Sequence, residues 1–138
     1  MKAGIALIIL LGTSCLAHAA EEMPAGHHHG TIELADKANL PGLSLDVQRD
    51  SMSGWNIHIP TSNFRFAPEH VGQAAQAGEG HAHLYVDGNK VARLYGPWFH
   101  LEPQAPGRHQ LRVTLNANSH DELAVDGRSI EATAEIVQ

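Results

Sequence analysis

The sequence predicts an all-β fold, an antiparallel, immunoglobulin-like β-sandwich of about seven to nine strands. Three observations predict it. Beyond residue 30 the chain is a series of short segments in which apolar and polar residues alternate. Turn residues separate these segments about every 8–12 residues, and no segment after residue 20 keeps the 3.6-residue apolar period of a helix. A small closed barrel satisfies the same pattern and stays open as the alternative.

Turn signals divide the chain into candidate strands. Asp87-Gly88-Asn89 and Asp126-Gly127 predict tight hairpin turns, because glycine tolerates the positive φ that such turns need. One short helical turn fits within residues 67–77. The predicted strands cover residues 31–34, 43–47, 54–59, 63–66, 81–86, 90–95, 98–101, 108–116, 122–125 and 129–137.

The start of the chain has the features of a secretory signal peptide. Lys2 precedes an apolar run that ends at Leu11, and Ala17-His18-Ala19 has the small-x-small pattern of a cleavage site. The apolar run is shorter than the roughly 20 residues that a membrane-spanning helix needs. We therefore expect cleavage after Ala19, a periplasmic or secreted location, and no stable membrane insertion.

The sequence therefore has three parts, of which cleavage removes the first. These are a signal peptide over residues 1–19, a flexible leader over residues 20–30, and a β-sandwich domain over residues 31–138. The leader contains a histidine tract, His27-His28-His29, which is open to interpretation as a metal-scavenging arm or as a cloning remnant; its position after the signal favours a native segment.

Composition excludes several classes of function. Cleavage removes one of the nine basic residues and none of the fifteen acidic ones, so the formal charge changes from −6 to −7. Nucleic acids and anionic membranes bind basic patches, so we expect neither as a partner. The only cysteine, Cys15, leaves with the signal peptide, so the domain is expected to have no disulfide, thiolate ligand or cysteine nucleophile.

Histidine is the residue type that carries chemistry in this sequence. His81 and His83 form a His-Ala-His step, and residues i and i+2 of a strand point to the same face. We expect Ala82 and Leu84 to face the core. Two imidazoles at this spacing can bind one metal ion with bonds of about 2.0–2.1 Å.

Further ligands must come from other segments. His100, on a strand after the first hairpin, and His120, in a loop between long strands, are expected to converge with the pair at one end of the sandwich. The predicted metal ligands are therefore His81, His83, His100 and His120, with Asn118 as a residue that orients an imidazole. His58 is a reserve candidate, and His70 and His109 are expected to be structural or exposed.

The donor atoms select the metal. A site without thiolate is not a blue-copper centre, and imidazole ligands favour copper or zinc. Copper binds most tightly among the first-row divalent ions, so we expect copper, with zinc as the alternative. Trp98, two residues before His100, either shields a cuprous ion by a cation–π contact or belongs to the core.

Residues 80–101 contain Gly80-His81-Ala82-His83-Leu84, and residues 113–120 end in an Asn-rich loop closed by a histidine. This pattern resembles a group of bacterial secreted β-sandwich proteins with a His-x-His strand. The resemblance covers most of the domain and implies a sandwich with a histidine cluster, but no activity. A weaker similarity is to copper–zinc superoxide dismutase, whose disulfide cysteines and zinc loop this sequence lacks.

Three functions fit these observations. The first is a periplasmic or secreted copper-binding protein for metal handling. Its partner is the metal ion, and another exported metal-handling protein is an open second possibility. The second is a metalloenzyme that uses the same histidines, for which the sequence offers no obvious acid–base group beyond Glu79 and Asp121 nearby in the chain. The third is a metal-free adhesion or protein-interaction module. The paired histidines favour the first, so enzymatic activity is not the expectation.

Overall fold

Short strands make up most of the chain that the computed structural model describes, residues 30–138. The predicted signal peptide and most of the leader, including the histidine tract, lie outside the described residues. The elements are β1 (Thr31–Glu33), β2 (Gly42–Leu43), β3 (Asp46–Arg49), β4 (Trp55–His58), β5 (Thr61–Ser62), β6 (Arg65–Phe66), a 3₁₀ turn (Pro68–His70), β7 (Glu79–Val86), β8 (Asn89–Leu94), β9 (Trp98–Leu101), β10 (Arg108–Asn116), β11 (Glu122–Val125), β12 (Arg128–Ser129) and β13 (Glu131–Val137).

The main sheet is organised around β7 and β10. Its strand order is β1-β11-β10-β7-β6, with β12 beside β11, β13 beside β10 and β8 beside β7. The two central strands pair antiparallel, from Leu111 opposite Val86 to Asn116 opposite His81. Most pairs are antiparallel as predicted, but β1 runs parallel to β11 and β6 runs parallel to β7.

A second layer covers the inner face of the main sheet. It consists of the antiparallel three-stranded sheet β3-β4-β9. A separate two-stranded ribbon pairs β2, which precedes β3 in the chain, with β5, which follows β4. Ile57 of the second layer and Leu84 and Val113 of the main sheet are completely buried in one apolar cluster. The two sheets therefore enclose a common core, and the predicted all-β, sandwich-like fold is confirmed. The immunoglobulin-type strand arrangement stays a prediction.

Both predicted hairpin turns are present. Asp87 and Gly88 have φ values of 50° and 81°, and Asp126 and Gly127 have values of 52° and 73°. Positive φ at both central residues matches the right-handed twist of the strands that such a turn joins. The first turn connects β7 to β8, and the second connects β11 to β12.

Two predicted strands are each divided into two shorter ones. The segment 43–47 splits between β2 and β3, which belong to different sheets. The segment 129–137 splits at Ile130, whose N–H donates to Leu123 and whose carbonyl accepts from Leu115. The period-two pattern identified extended chain at both places, but it carries no information about which neighbour each half pairs with.

Strand β7 is buried on both of its faces. Ala82 and Leu84 face the core with no exposed surface, as predicted. His81, His83 and Tyr85 project from the opposite face and are also buried. Polar side chains buried on an outer face need hydrogen-bond partners or a ligand, so this face is where a functional site is expected. Among residues 30–138, no helix has the length and apolar character needed to cross a membrane.

Candidate metal centre

Strand β7 positions the first two histidines. The exposed fraction of His81 is 1% and that of His83 is 0%. Their Nε2 atoms lie 3.0 Å apart, and their ring centroids are 4.8 Å apart. On β10, Asn116 is opposite His81 and Thr114 is opposite His83. The alternation of the strand therefore places two imidazoles side by side over a polar part of the sheet, as the His-Ala-His step predicts.

The loop that follows β10 brings His120 to the same point. Its Nδ1 atom lies 3.2 Å from Nε2 of His81. The His120 N–H donates to the Ala117 carbonyl at 2.9 Å, and the Ala117 N–H donates to the Asp121 carbonyl at 2.9 Å, which closes the loop tightly. His120 has a φ of 76°, a left-handed conformation that is uncommon for a residue other than glycine. Such conformations concentrate at functional sites, where the surrounding contacts hold them.

Two nitrogen–nitrogen separations within the cluster match those expected around a single metal ion. Bonds of about 2.0–2.1 Å place two ligand nitrogens about 2.9 Å apart at a right angle and about 3.3 Å apart at the tetrahedral angle. The observed separations of 3.0 and 3.2 Å lie between these values. One ligand atom from each of His81, His83 and His120 lies within 4.8 Å of the other two. These three residues, here called the histidine triad, are close enough to bind a metal ion.

A chain of buried hydrogen bonds supports the loop from below. Thr114 Oγ1 donates to Asn116 Oδ1 at 2.8 Å, and Asn116 Nδ2 donates to the His120 carbonyl at 3.1 Å. Thr114 and Asn116 have no exposed surface. The side chain opposite His81 in the sheet therefore also holds the backbone of His120, which links the loop to the strand next to β7.

Gly80 allows β7 and the start of the loop to approach closely. A Cβ atom at this position would lie 2.0 Å from the Asn116 carbonyl oxygen and 3.2 Å from Cα of Ala117. No side chain fits there without moving the backbone. Glycine is therefore required before His81, because the backbone of β7 is in close contact there with the start of the loop that carries His120.

A charged network anchors the other side of the loop. Asn118 Nδ2 donates to Glu79 Oε1 at 3.0 Å, and His70 Nδ1 lies 2.5 Å from the same oxygen. Arg65 forms an ion pair with the second oxygen of Glu79. The hydrogen bond from His70 is the main cause of a lowered pKa at Glu79; the Asn118 and Arg65 contacts add to it, and together they outweigh the effect of burial. Glu79 is therefore a carboxylate at neutral pH that ties the loop to the edge of β7.

Two tyrosines flank the triad. The ring centroid of Tyr95 lies 5.8 Å from that of His81, and the centroid of Tyr85 lies 6.3 Å from that of His83. The Arg112 guanidinium lies 4.1 Å from the centre of the Tyr85 ring. Burial raises the pKa of the Tyr85 hydroxyl, with the nearby Glu122 carboxylate as the next cause. The side of the site next to β8 and β10 is therefore aromatic, with Tyr85 buried and Tyr95 partly exposed to solvent.

The structure does not place His100 with the other predicted ligands. His100 lies on β9 in the second layer, it is exposed, and its Nδ1 is 3.2 Å from Asn56 Oδ1. The strand after the first hairpin leaves the main sheet and pairs with β4 instead, which carries His100 to a different surface. Trp98 is 64% exposed, so it neither shields the triad nor fills the core; it stacks on His58 at 4.1 Å.

His109, His70 and Asn118 each contact residues outside the triad. His109 contacts Asp87 and the Ala105 carbonyl, and His70 contacts Glu79, so both are structural. Within residues 30–138, the hydrogen bond of Asn118 goes to Glu79 and not to an imidazole, so Asn118 acts on the loop. Sequence reasoning missed Asn116 as the residue beneath His120. Its signal was available, because Asn116 is a polar residue at an outward position of β10, next to the outward Thr114 and directly before the loop that carries His120.

Comparisons of the chain with protein-family models, with curated proteins and with solved structures gave no match.

Proposed function

We propose that this protein is an exported copper-binding protein that handles the metal through His81, His83 and His120. The observation that carries the proposal is that one ligand atom from each of three histidines lies within 4.8 Å of the other two beside β7. Export is proposed from the predicted signal peptide, and a second exported metal-handling protein is proposed as the donor or acceptor of the ion.

The nitrogen–nitrogen distances within the triad favour a shared metal ion. An imidazole nitrogen carries either one hydrogen or one in-plane lone pair, so it makes one good hydrogen bond. His81 Nε2 has two nitrogen neighbours, His83 Nε2 at 3.0 Å and His120 Nδ1 at 3.2 Å. A metal ion can accept a lone pair from each of the three imidazoles at once.

Copper is the metal that the donor set favours. The triad contains only imidazole nitrogens, and Met52, the methionine among the described residues, is 91% exposed and separate from the site. Imidazole suits copper and zinc, and copper is higher in the affinity order of divalent ions. Zinc is therefore the competing occupant.

Metal handling is favoured over metal-dependent catalysis by the contacts of Glu79, which precedes His81 on the same strand face. Arg65, His70 and Asn118 already hold its oxygens. A general base needs a free lone pair directed at the reacting group. The described structure thus supports binding and release of an ion more than turnover of a substrate.

The test is a competitive titration of the exported protein with Cu⁺, Cu²⁺ and Zn²⁺ against chelators of known affinity. We expect one-to-one binding of copper with a submicromolar dissociation constant, and loss of that binding in the variant His81→Ala/His83→Ala. The matched control is His58→Ala/His100→Ala, which removes two histidines from the second layer and should bind as the wild type does. Equal, weak binding by all three proteins would contradict the proposal and favour a metal-free interaction module.

A further inference from the structure

Two strands that flank β7 on the same side end beside His81. The pairing places β10 on one side of β7, and β6 and β8 on the other. In the β6 ladder the last pair is Phe66 with Gly80, and in the β8 ladder the pair nearest to it is Leu94 with Ala82. His81 is the residue between Gly80 and Ala82. The change from one ladder to the other therefore occurs beside a member of the triad.

Tyr95 is located at this change of ladder. It is the first residue after β8, and the bend over residues 95–97 leads the chain from the main sheet to β9 in the second layer. Leu94 is buried in the apolar core, so the next side chain points to the outer face. There the ring centroid of Tyr95 lies 5.8 Å from that of His81, within the range at which aromatic rings attract each other. The phenol ring therefore packs on the triad from the β8 side.

Other sides of the triad are formed by buried residues. Thr114 and Asn116, which lie opposite the two histidines of β7, have no exposed surface, and Tyr85, the next outward residue of β7, is 9% exposed. Tyr95, in contrast, is 38% exposed, and His120 is partly exposed. Solvent, a chelator or a partner protein therefore approaches the buried imidazoles from the β8 side, where Tyr95 lies, or past His120.

Tyr95 can move without disturbing the sheet. It lies beyond the last pair of β8, and the residue after it is Gly96. A Cβ atom on Gly96 would meet no atom of the described residues within 4 Å, apart from those of its chain neighbours. Exposed side chains change rotamer within picoseconds to nanoseconds, so the Tyr95 ring can turn away from His81 while the β8 ladder stays intact.

We propose that Tyr95 controls the rate at which the metal ion enters and leaves the triad. The ring shields the β8 side when it packs on His81, and it must turn away before an incoming ligand can reach the ion from that side. A group that shields the empty and the loaded site alike changes the loading and release rates by the same factor, so the dissociation constant stays the same. This inference rests on the proposed metal-binding function and identifies the route by which the ion is exchanged.

The contact between the two rings sets the size of the effect. The energy of an aromatic pair at this distance corresponds to about a two- to tenfold change in a rate constant. Tyr95→Ala removes the ring, so loading and release should both become faster by this factor. Tyr95→Phe keeps the ring and should exchange the ion at the wild-type rate. The matched control is Trp98→Ala, because Trp98 follows the same bend and is 64% exposed, but stacks on His58 in the second layer.

The experiment measures the exchange of Cu²⁺ by stopped flow in the full chain, expressed and purified as the host processes it. Loading is followed after the protein is mixed with Cu²⁺. Release is followed after the loaded protein is mixed with EDTA, at concentrations high enough that the rate no longer depends on EDTA. Competitive titration gives the dissociation constant independently. The proteins are the wild type, Tyr95→Ala, Tyr95→Phe and Trp98→Ala, and His81→Ala/His83→Ala tests the triad separately.

We expect Tyr95→Ala to load and release Cu²⁺ about two- to tenfold faster than the wild type, with a dissociation constant within about twofold. Unchanged rates in Tyr95→Ala would overturn the inference, as would weaker binding with an unchanged loading rate, which would make Tyr95 a ligand or a support for one. Equal acceleration in Tyr95→Phe or Trp98→Ala would overturn it too, because the effect would then not come from the ring on His81.

The outcomes also separate this inference from the proposed function. In each of the contrary cases, stoichiometric wild-type binding that depends on His81 and His83 would leave the proposed function standing. Absence of that binding would contradict the proposed function, and the role of Tyr95 with it.

Discussion

Each layer of the sandwich carries histidines at neighbouring strand positions, and the two groups differ in what their nitrogens face. In the main sheet, Nε2 of His81 lies within 3.2 Å of one nitrogen from each of the other triad members, and two of the three residues are buried. In the second layer, His100 contacts Asn56, whereas His58 stacks on Trp98 and lies 3.5 Å from an oxygen of Asp46.

The difference shows that convergence, not the number of histidines, defines a candidate ligand set. The side chains of His58 and His100 are directed to separate partners on a wet surface, so each is satisfied by itself. The triad nitrogens lie close together where two of the three side chains are buried, and one metal ion could bind all three. His81 and His83, like His58 and His100, lie on strands, and the fold assigns the two groups different environments by bringing the His120 loop beside β7.

The largest expected effect separates the two groups by metal-linked stability. At a free copper concentration of 100 times the dissociation constant, binding should stabilise the wild type by about 2.7 kcal/mol. His81→Ala/His83→Ala should show no such gain, and His58→Ala/His100→Ala should keep it. Chemical unfolding with and without copper measures it. An equal loss in both variants would mean that the two layers do not differ as described.

The second prediction concerns the asparagines that accompany the two groups. Asn116→Ala removes the hydrogen bond to the His120 carbonyl and should weaken copper binding by about 10–100-fold. Asn56→Ala removes the corresponding contact to His100 and should leave copper affinity unchanged. Competitive titration of both variants measures this. If Asn116→Ala binds copper as tightly as the wild type, the loop does not depend on the hydrogen bond beneath it.

The third prediction concerns the left-handed conformation of His120. Asparagine tolerates this conformation better than alanine, for which it costs about 1 kcal/mol. In metal-free buffer His120→Asn should therefore be more stable than His120→Ala by about that amount. The same pair of substitutions at His100, which lies within an ordinary strand, should show no such preference. Urea unfolding compares the four variants. An advantage of alanine at position 120 would contradict the conformation.

The smallest effect is a pH dependence at His109, which belongs to neither group. The hydrogen bond to Asp87, followed by the contact with the Ala105 carbonyl, raises the pKa of His109 above its ordinary value of 6.5. The same bond lowers the pKa of Asp87 below 3.8. The stabilisation from His109 is fully present below pH 6.5 and is lost as the pH rises through its raised pKa. That from Asp87 is present above pH 3.8 and is lost as the pH falls through its lowered pKa.

The stability difference between the wild type and His109→Gln should therefore be largest between about pH 3.8 and 6.5 and shrink toward pH 9. Urea unfolding at several pH values, with a chelator to keep the triad metal-free, measures the difference. A difference that grows with increasing pH would contradict the assigned ion pair.

The strand faces and the hairpin turns were predictable, because they depend on residues that are close together in the sequence. The period of two placed His81 and His83 on one face and Leu84 in the core, and the Asp-Gly turns located both hairpins. The positions that failed depend on pairing at a distance. The sequence around His100 contains no pattern that indicates whether β9 pairs with β4 or with a strand of the main sheet. The role of Asn116 likewise depends on a loop conformation that becomes visible only when His120 folds back over β7.

The most direct test of the central claim is nitrogen NMR of the histidine side chains in protein loaded with one equivalent of Cu⁺, a diamagnetic ion. We predict that the ion binds His81 and His83 through Nε2 and His120 through Nδ1, while the ring nitrogen shifts of His58 and His100 stay unchanged. Triad shifts that do not respond to a stoichiometric ion, or a response at His58 and His100 instead, would contradict the account.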